Sequence, residues 1–403
     1  MKKTMALMAL LLPAGSAWAV GSGAYAVQSL DAKSMGMGNA VTATADEPST
    51  LFFNPAGLAL LPGTQFSVGV SPILAKSSFE HSTGEQESTK NDWLAIPNFY
   101  ATHQLADNLG LGFGVFTAYG LETHWPNTGT IQYLATDSRL QSLEFSLGLG
   151  YRPTPLVALG ASALYTRMDA KMQNMTTITP IDEYGNPLPD VILQQTLKGD
   201  GTALGYSGGI LLNPEGKHRL GLSYRSAFHV TVEGNTKLEG AIAYETGTKT
   251  RVILPDSFTL GGAIEPNDRW LVSADLEWVG WGRIEKSEFY SEDGTSLPLP
   301  RDWKSTWNLG VGSRYKLNKT WESRAGYLYF PQVVPEATWE PSTPDSAVHG
   351  LTLGLGMNWG QTKVDLGYNY FLYVDRTIRN DFLNGTAKTD AHMLALSFTY
   401  RIP

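Results

Sequence analysis

Apolar residues recur at every second position through most of this chain, and that period decides what it can fold into. Leu394, Leu396, Phe398, Tyr400 and Ile402 share one parity, while Ala395, Ser397, Thr399 and Arg401 take the other. Leu351, Leu353, Leu355, Met357 and Trp359 alternate with Thr352, Gly354, Gly356 and Asn358. Between Trp270, Val272, Ala274, Leu276 and Trp278 stand Ser273, Asp275 and Glu277. A period of two is a strand with one apolar face. Carboxylates at alternate positions cannot face lipid cheaply, so such strands turn their polar side to the lumen of a membrane barrel.

Strands with this pattern are expected near 64–79, 93–104, 109–118, 140–152, 156–172, 203–213, 218–232, 250–265, 269–288, 302–317, 320–330, 346–359, 361–375 and 389–402, fourteen in all. Their linkers alternate in length. Short ones lie at 106–108, 153–155, 213–217, 266–268, 318–319 and 359–361; long ones lie near 80–92, 119–139, 173–202, 233–249, 289–301, 331–345 and 376–388. Short periplasmic turns, long extracellular loops and an even strand number are the habit of outer-membrane barrels. The reading is an all-β, fourteen-stranded antiparallel barrel with both termini in the periplasm. A soluble sandwich or propeller has no reason to alternate its loops so regularly.

The start of the chain fits an exported protein. Lys2 and Lys3 precede an apolar run from Met5 to Leu12, Pro13 and Gly15 break it, and Ala17-Trp18-Ala19 has the small-x-small form of a cleavage site. Residues 1–19 are therefore expected to be a signal peptide, 20–62 a plug and 63–403 the barrel. Beyond residue 19 no stretch of 18 apolar residues occurs, which excludes a transmembrane helix. A mean hydropathy of −0.16 does not argue for solubility, because a polar lumen and an apolar exterior average near zero. The absence of cysteine excludes disulfides and thiolate metal sites. A net charge of −8 with no basic run argues against nucleic acid as a partner.

Residues 20–62 do not alternate. They contain the turn Met35-Gly36-Met37-Gly38-Asn39-Ala40, the cap residues Asp46, Ser49 and Thr50, and the apolar Leu51, Phe52 and Phe53. A fourteen-stranded barrel is wider than its own side chains can fill, so this segment is expected to fold inward as a hatch around Asn54, Pro55 and Ala56. A periplasmic tail, the other possibility, is usually more polar.

These residues carry a resemblance. Met35 to Ala40, Ala45 to Gly57, Tyr119-Gly120-Leu121-Glu122-Thr123-His124-Trp125, Trp303-Lys304 and Pro344-Asp345-Ser346 resemble the FadL family of outer-membrane transporters of long-chain fatty acids and other hydrophobic compounds. The resemblance runs through most of the chain beyond the signal segment. It implies a fourteen-stranded barrel with an N-terminal hatch. It further implies capture of a hydrophobic ligand among extracellular loops, a site inside the barrel, and sideways exit where the third strand kinks inward. Gly112, Gly114 and Gly120, with Gly110, would permit that kink. The resemblance also implies a ligand contact near the mature N-terminus, where members usually have Phe; Val27 stands there, with Tyr25 two residues earlier. Members usually end on an aromatic residue, whereas this chain ends Tyr400-Arg401-Ile402-Pro403.

Candidate chemistry is sparse. Gly205-Tyr206-Ser207-Gly208-Gly209 matches G-x-S-x-G, but it lies within a strand and no helix follows, so no catalytic residue is expected. Histidines stand at 81, 103, 124, 218, 229, 349 and 392, none at the i, i+4 spacing of a helical metal site, and no metal or other cofactor is expected. Lys304, beside Trp303, is the expected contact for an anionic head group, a role the resemblance also implies; a lysine snorkelling at the membrane interface reads equally well. Arg167 and Lys171 are candidates for a second basic contact. The loop near 173–202 carries Met175, Leu188, Val191, Ile192 and Leu193, preceded by Met172, enough apolar surface for a docking groove or for packing on a neighbouring loop.

The expected function is passive uptake of hydrophobic molecules, foremost long-chain fatty acids, across the outer membrane of a Gram-negative bacterium. The expected partners are that ligand and outer-membrane lipid, and the expected state is a monomer. Aromatic or alkane hydrocarbons are the alternative ligand. The alternatives of another class are an outer-membrane lipid hydrolase and an open porin.

Overall fold

A computed structural model describes residues 24–403 apart from 28, 29, 91, 92, 181, 183, 185 and 293; the expected signal peptide lies outside the described residues. Fourteen strands close into one antiparallel barrel. In chain order they are β1 Thr64–His81; β2 Gln86–Ser88 and Trp93–Ala106; β3 Leu109–Phe116 and Gly120–His124; β4 Asp137–Thr154; β5 Val157–Ile178; and β6 Val191–Leu212. Then follow β7 His218–Arg225 and Phe228–Glu239; β8 Tyr244–Leu254 and Ser257–Ile264; β9 Trp270–Val279 and Lys286–Ser291; and β10 Ser296–Pro300 and Thr306–Lys316. The last four are β11 Trp321–Phe330; β12 Val348–Trp359; β13 Thr362–Tyr373 and Arg376–Arg379; and β14 Asn384–Ile402. Strand β14 closes on β1 in a register running from Thr64 opposite Ile402 to His81 opposite Gly385.

The apolar parity faces outward. Phe66, Val68, Val70, Leu147, Leu149, Leu353, Leu396 and Phe398 are all exposed on the wall, where lipid replaces water. The polar parity faces in, and Asp275 uses it: its carboxylate accepts the amides of Val41 and Thr42 at 3.0 and 2.9 Å.

Those amides belong to the segment inside the barrel. It holds two short helices, α1 Ala32–Gly36 and α2 Thr50–Phe53, and a 3-10 turn over Pro55–Leu60. Asp31 caps α1, accepting from the Ser34 amide at 2.8 Å. The hatch lies so close to the wall that many facing wall positions are glycine. A Cβ at Gly160 would lie 2.2 Å from the Ala56 nitrogen, one at Gly209 2.0 Å from Asn54 Oδ1, and one at Gly110 1.9 Å from the Leu58 oxygen. Gly38 adds a backbone demand, with φ +57° and wall carbonyls of Val311 and Tyr327 within 2.8 Å of a built Cβ. The G-x-S-x-G stretch falls under the same rule: Gly205 accommodates Phe228, Gly209 accommodates Asn54, and Ser207 bonds Ser162 across β5 and β6 at 2.6 Å.

Two features depart from the expected strand pattern. The 173–202 segment is mostly an extension of β5 and β6, paired from Gln173 opposite Thr196 to Ile178 opposite Val191. Strands β2, β3, β7, β8, β9, β10 and β13 are each interrupted; among the described residues the breaks fall at 89–90, 117–119, 226–227, 255–256, 280–285, 301–305 and 374–375.

Candidate ligand-binding site

Residues at or beside several of these breaks line two cavities of the lumen. The upper one, about 840 Å³ of empty space partly open to solvent, has an apolar floor including Tyr25, Leu121, Ile253, Ile284 and Trp303. Among the described residues the same lining carries five cations, Arg139, Lys171, Arg251, Lys286 and Arg301, and a single acid, Glu340. Tyr25 joins floor to wall. Its hydroxyl donates to the Ile253 carbonyl at 2.5 Å, and its ring packs 5.0 Å from Trp281 and 5.5 Å from Trp303. Burial, reinforced by Tyr119, raises the Tyr25 pKa well above the usual phenol value, so it stays a neutral donor.

The lower cavity, about 940 Å³ of empty space, lies between the hatch residues Ala26, Val27, Leu30, Phe52 and Phe53 and the wall residues Tyr119, Arg225, Glu277 and Phe330. Arg225 bonds the fully buried Glu144 and stands 4.8 Å from the Phe52 ring centroid, a cation held between an acid and aromatic faces. Neither Arg225 nor Glu144 is marked by any motif; only their lumen-facing parity singles them out.

Between the cavities runs the N-terminal segment, which pairs with the broken part of β3. Val27 donates to the Ala118 carbonyl at 2.9 Å, and Gly120 donates to the Tyr25 carbonyl at 2.8 Å. This pairing draws β3 away from β2. Their ladder runs only from Ala106 opposite Leu109 to Phe99 opposite Val115, while, among the described residues, Gly120–His124 forms a ladder with β4 and none with β2. A side pocket of about 650 Å³, lined by Ala24, Leu94, Leu121, Glu122, His124, Asp345 and Tyr373, opens beside that gap. Asp345 secures the top, accepting from the amides of Ala24, Val333 and Val334 at 3.3, 2.8 and 2.9 Å.

The sequence candidates divide around this geometry. Trp303, Tyr25 and Lys171 line the upper cavity and Val27 the lower one. Lys304 lines neither: it is exposed, whereas Arg301 lines the upper cavity. The reason is local. The lower part of β10 starts at Thr306, not 302, and Asp302 in the coil before it has φ +48°, which resets the side-chain parity. Arg167 faces outward, 55% exposed, 3.7 Å from Asp200. The loop residues do not form one groove. Leu193 is fully buried and Ile192 52% exposed, as neighbours on a strand must alternate; Leu188 is exposed, and Met175 and Val191 are half-buried. Met172 and Leu197 of the same hairpin do line the upper cavity. Gly112 and Gly114 lie in the paired part of β3, where a Cβ would meet Leu58 and Leu51 of the hatch within 2.6 and 3.0 Å. Gly120 alone of the three borders the break, as the first residue of the outer piece of β3.

Residues 13–402 match the family described as outer membrane protein transport protein (OMPP1/FadL/TodX). The chain belongs to this family. Among curated relatives of the FadL/TodX group, the long-chain fatty acid transport protein of Escherichia coli O6:H1 is 22% identical over 420 residues, covering 91% of this chain and 90% of its own. Among solved structures, a FadL homologue of Pseudomonas aeruginosa superposes with a TM-score of 0.84 at 19% identity, covering 94% of this chain and all of its own. The toluene transporter TodX of P. putida gives 0.75 at 20% identity, covering 95% and 99%. This is an outer-membrane transport protein for hydrophobic compounds, and its relatives are transporter channels, not enzymes.

Proposed function

We propose that this protein takes up long-chain fatty acids, receiving the carboxylate on the cations lining the upper cavity and the alkyl chain on its apolar floor. The carrying observation is that lining: five cations against one acid, with a floor of Tyr25, Leu121, Ile284 and Trp303. Arg301 and Lys171 are the head-group contacts. Each already holds an acid, Glu340 and Asp137 respectively, so a ligand carboxylate joins or displaces that acid, whose partly exposed side chain then turns to water. The chain then passes Tyr25 and leaves sideways through the gap between β2 and β3. The hatch obstructs the straight route, and entering hydrocarbon instead of water gains roughly 0.8 kcal/mol per CH₂.

Binding of a fatty acid, its methyl ester and toluene to Arg301→Ala and Lys171→Ala tests the reading. A charge-assisted bond contributes about 1.5–3 kcal/mol, so acid affinity falls roughly 10- to 100-fold while ester affinity holds. Equal loss for acid and ester, or toluene binding better than either, turns the reading toward a neutral hydrocarbon. That alternative draws on the same pairing, because cations already held by Glu340 and Asp137 leave little free charge.

A further inference from the structure

At the outer end of β3, above the gap, three side chains converge. Glu122 and His124 are two apart on one strand and so share a face, and Asp137 of β4 stands directly opposite His124 in the ladder. One ligand atom from each lies within 4.8 Å of the others. Helical spacing was the wrong template for finding this: on a strand, i and i+2 bring donors together, and the third comes across the ladder.

We propose that Glu122, His124 and Asp137 bind one transition cation of the Zn²⁺ class. Each acid keeps an oxygen for the ion. Glu122 meets His124 Nε2 through Oε1, while its Oε2 is buried with no hydrogen-bond partner, on a side chain only 6% exposed. Asp137 gives Oδ2 to Lys171 and holds Oδ1 3.8 Å from His124 Nδ1. Donors at about 2.0–2.2 Å from a tetrahedral ion stand roughly 3.4 Å apart, whereas Glu122 faces His124 Nε2 and Asp137 faces Nδ1, so binding one ion swings one carboxylate toward the ring nitrogen that the other faces. The His124 side chain is 29% exposed and borders the side pocket, which leaves a route for the ion and a fourth position for water.

The surrounding charge selects the metal class. Arg139 stands opposite Glu122, Lys171 holds Asp137, and Lys90 lines the same pocket. Cations that rely on a surplus of carboxylates, such as Ca²⁺, find none here, whereas an imidazole donor suits Zn²⁺, Ni²⁺ or Cu²⁺. The location gives the ion a consequence. The His124 carbonyl accepts from the Lys90 amide at 3.0 Å, the point where β2 and β3 rejoin above their gap, so an ion there ties the outer edge of the side pocket to β4.

The test is calorimetric titration of untagged, chelator-treated full-length protein in detergent with Zn²⁺ alone. One equivalent binds per chain, and His124→Ala and Glu122→Gln each weaken binding about tenfold or more. His81→Ala, which removes a different histidine–carboxylate pair held at 2.8 Å, leaves it unchanged. Should either variant assemble poorly, the visible spectrum of Co²⁺ added to unaltered protein, abolished by Zn²⁺, reports a nitrogen-containing site without mutation. The proposal is overturned if unaltered protein takes up no stoichiometric Zn²⁺, or if His124→Ala binds as it does.

Discussion

Asn54 uses both ends of its amide. Its Nδ2 donates to the carbonyls of Thr42 in the hatch and Ile210 in β6 at 3.0 and 3.1 Å, and its Oδ1 accepts from the Ala56 amide at 3.2 Å. One side chain thus fixes the turn, closes the hatch on itself and docks it on the wall. Asn54→Ala leaves buried polar groups unpaired, costing about 1–3 kcal/mol, and lowers the thermal transition in detergent. Gly209→Leu attacks the same contact from the wall and loosens the hatch similarly; an unchanged transition in both variants would dissociate this contact from hatch stability. The motif around Asn54 was legible because its residues are adjacent in sequence. Gly160 and Gly209, which receive it, were not, because the reason for their size lies over a hundred residues away. Arg301 was missed for a nearer reason: alternation assigns facing only while a strand continues, and the coil with Asp302 at positive φ breaks the count.

At the scale of single strands, β3 is two elements joined by a detour. Up to Val115 it has neighbours on both sides; from Thr117 to Gly120 its backbone turns to the hatch, and the β2 side goes unpaired. Strand number and loop alternation were legible from period and turn residues. The interruptions were not, because a break that serves a cavity keeps the local strand composition on both flanks. The family resemblance and the glycine content pointed together to Gly112 and Gly114, whose smallness serves Leu58 and Leu51. Leu94→Trp separates the two roles. Leu94 lines the side pocket but neither lumen cavity, so indole bulk there cuts fatty acid uptake by intact cells while leaving detergent binding unchanged. Gly112→Leu presses on Leu58 and lowers the thermal transition instead. Normal uptake by a correctly assembled Leu94→Trp barrel means the exit lies elsewhere.

Across the whole molecule, the hatch is held to the wall by charge as well as by shape. Lys33 of α1 bonds Asp46 and lies 3.5 Å from Glu47. Asp46 reaches Arg314 of β10 at 3.1 Å, and Glu47 reaches Lys363 of β13 at 2.5 Å and Arg401 of β14 at 3.4 Å. Burial alone would raise both acids, but Lys33, Lys363 and Arg314 outweigh it for Asp46, and Lys363 and Lys33 do so for Glu47. Each is therefore held below its ordinary value of 3.8 or 4.5. A depressed carboxylate contributes docking stability that is complete above its unfolded value and fades as pH falls through its folded one. Ion conductance across a planar bilayer should therefore be small and flat from about pH 8 to pH 5 and rise only below about pH 4, as the acids take up protons and the hatch loosens. Deleting residues 24–56 gives the ceiling, a barrel conducting at every pH. Lys33→Ala takes one shared cation from both acids, leaving Asp46 on Arg314 and Glu47 on Lys363 and Arg401, and moves the rise toward neutral pH. A deletion conducting no better than the intact chain shows that the hatch does not hold the lumen shut, and an intact chain whose conductance ignores acid shows that the ion pairs do not hold the hatch.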